Sequence, residues 1–167
     1  MPNLLTIWPP HNRPAECDGC PRNASGRSSG FVPGYGSPTA ALIVIGEQPG
    51  TNEVAEGRPF VGKSGQELSK GLGSIGRDGV YVTNVRKCLG AAGESDATRT
   101  TSIAHCTTTY LRREFEALET AGTVRSVLAI GADAMEVAIG VRSAIKWHGA
   151  VLTREECRAI REATLPH

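Results

Sequence analysis

Long apolar runs are missing from this 167-residue chain. No stretch approaches the roughly 20 apolar residues of a bilayer span, which excludes a membrane-spanning helix. The opening "MPNLLTIWPPHNRP" has no basic start and carries two prolines directly after Trp8. It is a poor secretory signal, so a cytoplasmic protein is expected. An excess of one charge is also missing. The net charge of +1 excludes a strongly basic nucleic-acid binder, though not a local basic face. No internal repeat is found, which excludes a repeat array. The length suits one domain with a real core, spanning 1–167, and a monomer is expected.

The charge is nevertheless uneven. Residues 58–88 hold Arg58, Lys63, Lys70, Arg77, Arg86 and Lys87 against Glu67 and Asp78, a local net of +4. A solvated face and a nucleic-acid face are both open readings. Extended segments are expected at 40–45 ("AALIVI"), 79–85 ("GVYVTNV"), 124–131 ("VRSVLAIG") and, weakly, 161–165 ("REATL"). Helical patterns fill 64–75, 103–121 and 132–140, the last stopping on Gly140. The stretches 23–37 and 89–102 read as irregular. Strands alternating with helices predict a parallel α/β sheet covered on both faces, a three-layer α/β/α fold. Ligands of such sheets sit beyond the carboxyl ends of the strands. The loop after 40–45 and the "TN" at Thr83–Asn84 should therefore converge.

Cys17 and Cys20 form C-x2-C; Cys88 and Cys106 follow singly. Disulfides do not suit a cytoplasmic chain. Four thiolates hold either zinc or an iron–sulfur cluster. The second C-x2-C pair of a zinc ribbon is absent, and small buried thiols are the bland alternative. Cys157, in "REECRAI", has no partner motif and reads as a spare thiol.

The loop "GEQPGTNEVAEGRPFVGKSG" (46–65) is longer than the usual connection of about 4–6 residues. Within it, Gly57–Ser64 fits G-x-x-x-x-G-K-[ST], a phosphate loop. That motif comes directly off a strand, whereas here residues 46–56 intervene. No apolar run ending in a magnesium-binding aspartate follows, and Asp133 comes after a glycine break. A nucleotide cofactor is not expected, and a P-loop hydrolase is the weaker rival.

Taken in order, "FVPGYGSPTAALIVIGEQPG", "GRPFVG", "VYVTNVRKC", "IAHC" and "VLAIGADAM" resemble the uracil-DNA glycosylase superfamily, in particular its iron–sulfur branch. The resemblance covers most of the chain. It implies a 4Fe–4S cluster on Cys17, Cys20, Cys88 and Cys106, and DNA containing uracil as partner. By resemblance Glu47, Gln48 and Glu53 line the pocket, Phe60 stacks on the base, and Asn84 reads it. The residue types suit that chemistry. A base taken out of the stack needs an aromatic face. One planar amide offers a donor and an acceptor to uracil O4 and N3–H. The bland readings are a core phenylalanine, a turn asparagine and solvated loop acids.

Gln48 stands where many relatives of that family have alanine or glycine. It resembles a branch that captures uracil covalently through a loop histidine. The Arg- and His-rich loop of that branch is absent, since 89–105 holds only Arg99 and His105. Hydrolysis is therefore expected. "EATLPH" resembles the last strand leading into the family's third motif, whose histidine, here His167, contacts uracil O2. The resemblance then implies a DNA wedge and a closing helix, which are expected to be missing. His167 is expected to act poorly, and a binding module without catalysis is the second rival. His11 and His148 match nothing functional.

Overall fold

The computed structural model describes residues 13–26, 28–76 and 79–164. His11, Arg77, Asp78 and His167 lie outside the described residues, and so does position 165.

Four strands form one sheet: β1 (Tyr35–Gly36), β2 (Leu42–Gly46), β3 (Val80–Asn84) and β4 (Ser126–Ala129), in the order β1-β3-β2-β4. β2 runs parallel to β3 and β4, and β1 pairs antiparallel with β3. The apolar runs fix the layering. Along β2, Ile43 and Ile45 point to one face and Val44 to the other, the period of two that a strand imposes. Ile43, Ile45, Tyr81 and Val85 pack with Ile103, Leu118 and Ala134. These come from helices α4 (Asp96–Cys106), α5 (Arg112–Thr120) and α6 (Ala132–Ile139). Val44, Val80 and Val82 pack on the other face with Leu72 and Phe60. Leu72 ends α3 (Lys63–Leu72); the short helices α1 (Pro21–Ala24) and α2 (Thr51–Glu56) precede it, and α7 (Ala144–Trp147) follows α6. The fold is the expected three-layer α/β/α with a short, mainly parallel sheet.

β2 is central, the chain crosses to β3 through α3 on one face, and it crosses to β4 through α4 and α5 on the other. The carboxyl end of β2 is thus the switch point at which α/β sheets bind ligands. Gly46 pairs with Asn84 across it.

Four details differ from the sequence reading. The helix α8 (Arg154–Thr164) covers 161–164, where a strand was expected. Arg, Glu and Ala are helix formers, and that preference wins over one apolar residue. Residues 96–102 are not loose, because Ser95 caps α4 by accepting from Thr98 N at 3.1 Å. Between α4 and α5, residues Thr107–Leu111 widen into a π-helical turn. β1 lies inside the irregular lead-in.

Among the described residues β4 is not covered as a parallel strand usually is. It stands at the sheet edge, with Val127 46% and Leu128 41% exposed on opposite faces. Among the described residues no helix is long and apolar enough to cross a membrane.

Candidate active site at the end of the central strand

An open cavity of about 590 Å³ lies at the carboxyl end of β2. Gly46, Glu47, Gln48, Glu53, Phe60 and Asn84 all line it. The structure therefore brings together every described site residue that the sequence singled out, apart from the cysteines.

Its shape begins with Glu53. This residue sits in the first turn of α2 (Thr51–Glu56). Its Oε2 accepts from Gly50 N at 3.0 Å, and its Oε1 accepts from Val61 N at 2.9 Å and Gly62 N at 2.7 Å. One carboxylate thus joins both ends of the long loop. Glu53 is no solvated acid. Gly57 caps the end of α2 in the left-handed region. The first glycine of the phosphate-loop pattern therefore follows a helix and not a strand.

The stapled loop presents Phe60 at φ 57°, a left-handed conformation costing a non-glycine residue roughly 1–3 kcal/mol. Two glycines make this possible. A Cβ on Gly65 would lie 1.7 Å from the Phe60 carbonyl oxygen. A Cβ on Gly46 would lie 2.7 Å from the Phe60 ring and 2.5 Å from the Asn84 Oδ1. Glycine at 46 is what lets the ring edge and the amide approach each other. Phe60 is a core residue and a cavity wall at once, 8% exposed.

Asn84 is 3% exposed. It is not a turn residue; it ends β3 and its backbone oxygen accepts from Lys87 Nζ at 2.9 Å. Lys87 also donates to Thr83 Oγ1 at 2.5 Å and to Glu114 Oε2 at 2.8 Å. Glu114 in turn accepts from Gly34 N and Thr83 Oγ1. A satisfied buried pair thus backs the strand end that carries Asn84. Glu47 places Oε1 3.1 Å from Asp133 N, in the first turn of α6. Gly131 leaves it the space, since a Cβ there would lie 2.6 Å from Glu47 Cγ.

Behind the cavity runs an ionic network that sequence reasoning missed. Arg22 forms a fork on both oxygens of Glu94. Arg86 bridges Glu94 at 3.2 Å and Asp133 at 2.5 Å. Asp133 also pairs with Arg99 and Arg142. Burial, together with the like charge of Arg22, pushes the Arg86 pKa down. The Arg22 fork holds the Glu94 carboxyl below its ordinary range. The basic stretch 58–88 therefore divides. Arg86 and Lys87 are buried and internally paired, while Arg58, Lys63 and Lys70 face solvent. No sequence signal marked the acidic partners; Glu94 lies 72 positions from Arg22, and Asp133 47 from Arg86.

The cysteines gather on the far side of this network. Cys20 and Cys106 are buried, Cys17 and Cys88 half-buried. Cys17 Sγ lies 3.0 Å from the Tyr110 hydroxyl. Burial pushes the Cys17, Cys88 and Cys106 thiols up, the last to about 12. Each also feels the charge of other cysteines in the set. Among the described residues no three Cys, His, Asp or Glu side chains are disposed around a single metal ion. His105 Nε2 meets Glu16 O at 2.9 Å, on the cysteine side. Cys157 lies apart on α8.

A cavity at the switch point, walled by an aromatic ring and a buried amide, defines the class: an α/β protein with a candidate ligand site beyond its central strand. A sequence model of the uracil DNA glycosylase superfamily matches residues 33–164, and the chain belongs to that superfamily. Among known proteins it is similar to the Type-4 uracil-DNA glycosylase of Archaeoglobus fulgidus, with 48% identity over 60 residues. That match spans 35% of this chain and 30% of the relative. The Type-4 uracil-DNA glycosylase of Pyrobaculum aerophilum is 40% identical over 80 residues, 47% of this chain and 40% of the relative. That of Thermotoga maritima is 37% identical over 78 residues, 46% and 40%. The matched stretch thus covers less than half the length of these relatives.

Proposed function

We propose that the chain removes uracil from DNA by hydrolysing the N-glycosidic bond of a flipped deoxyuridine. The observation that carries this is the slot formed by Phe60, Gly46 and Asn84. A flat ring lies against Phe60, a contact worth about 1–3 kcal/mol per base. The Asn84 amide meets the O4 acceptor and the N3–H donor of uracil side by side.

In the reaction, the C1′–N1 bond breaks and its electron pair passes to the uracil ring, chiefly as charge on O2. A water oxygen bonds to C1′, and its proton ends on the departing base. Glu47 is the acid assigned to the sugar and its water. Both oxygens of Glu53 are engaged by loop amides, whereas Glu47 holds one amide through Oε1. Backbone N–H groups beside Gln48 receive the charge on O2.

Cys17, Cys20, Cys88 and Cys106 are assigned to a 4Fe–4S cluster. The donor set fits. Four thiols from separate segments lie close enough to feel one another's charge, and a metal binds them with release of their protons. A cubane takes four thiolates, one on each iron, and this set supplies four. When bound, such a group would join the segment of Cys17 and Cys20 to Cys88, in the stretch after β3, and to Cys106 at the end of α4.

The test is an oligonucleotide with one deoxyuridine, single- or double-stranded, treated with the protein and then with alkali. Strand cleavage at the uracil is expected. Binding without cleavage would overturn hydrolysis and make the chain a uracil-binding module, and the absence of both cleavage and binding would end the reading altogether.

A further inference from the structure

Arg22 is 1% exposed and stands between the cysteines and the cavity. Its Nε and Nη2 are committed to Glu94. Its Nη1 is shared between the Cys88 backbone oxygen at 3.0 Å and the Gln48 Oε1 at 3.0 Å, with Cys88 Sγ at 4.0 Å. Gly90 makes room, since a Cβ there would lie 2.6 Å from Arg22 Cζ. A guanidinium has five donors and no acceptor. The Gln48 atom turned towards it must therefore be oxygen, which settles the amide's orientation on chemistry.

We propose that Arg22 is a positioning residue. It fixes the Gln48 amide with its NH2 towards the base and couples that donor to the chain segment bearing Cys88. The inference rests on the glycosylase reading. Electron density collects on uracil O2 as the bond breaks, so a fixed donor there lowers the barrier and a fixed acceptor raises it. Without Arg22 the amide is free to turn over, and the donor is lost for part of the time.

The test is a double-mutant cycle on the full chain, purified without oxygen. Arg22→Lys keeps the charge and removes the fork. It should lower kcat on uracil-containing single strands about tenfold, near the worth of one hydrogen bond, with KM and iron content unchanged. Gln48→Ala should do the same, and the double variant should be no slower than Gln48→Ala alone. Gly90→Ala, which pushes on the guanidinium, should reproduce the Arg22→Lys loss if that variant folds badly. Effects that multiply would overturn the proposal, and so would iron loss in step with activity. A second cycle reads melting temperature. The double variant should melt no lower than Arg22→Lys, whereas additive losses would overturn the coupling. If the parent chain leaves uracil in place, the glycosylase reading fails, and the melting cycle still decides on Arg22 and Gln48.

Discussion

Asn84 and Phe60 face one another across Gly46, and each does two jobs. Asn84 ends a strand and offers its amide to the cavity. Asn84→Ala should lose about 1–3 kcal/mol of transition-state stabilisation, because pocket and base are left unpaired. Asn84→Asp, acceptor-only when ionised, should shift preference from uracil towards cytosine. Excision rates on matched uracil and cytosine oligonucleotides check both, and unchanged rates would return Asn84 to a structural role. At this scale the sequence was informative where chemistry demands a rare residue type in an odd place. A phenylalanine inside a glycine-rich loop and an asparagine after a β-branched run stand out. Arg22, Glu94 and Asp133 do not. Their role exists only once Arg22 meets Glu94 across 72 positions and Arg86 meets Asp133 across 47.

Elements were legible in proportion to the strength of their local pattern. β2 and β3 are β-branched, bounded and buried, and they fall where the runs predict. β1 has two residues and exists only as a partner for β3. The start of α4 hides in a Ser/Thr-rich stretch whose capping serine reads equally well as loop. The loop between β2 and α3 behaves as an element of its own because Glu53 staples it. Glu53→Ala would strand three backbone donors, and each buried one costs roughly 1–3 kcal/mol. Amide exchange at 57–62 should quicken strongly while the strands stay protected. Exchange unchanged from the parent would show that Phe60 is held by packing alone.

Across the whole molecule, ionic pairs occupy positions that hydrophobic residues usually fill, and this gives stability a pH dependence. The folded Glu94 pKa lies below its unfolded value, chiefly through the hydrogen bond from Arg22. Its contribution is therefore present above the ordinary carboxylate range, and it is lost as pH falls through the lower, folded value. Melting temperature should hold from neutrality into mild acid and then fall. Glu94→Gln should melt lower at neutrality and show a shallower acid limb, and parallel curves would contradict this. The metal assignment has its own measure. Anaerobic protein should be brown with about four irons per chain, and Cys157→Ser should leave that content unchanged. Colourless protein with stoichiometric zinc would defeat it. The edge strand β4 carries a different consequence. Open edges are templates that proteins ordinarily blunt with charge or cover, and among the described residues this one presents Val127 and Leu128 to water. Heating should therefore produce turbidity that rises with protein concentration and begins before the helices melt. A lysine at position 127 should delay it without moving the midpoint of unfolding.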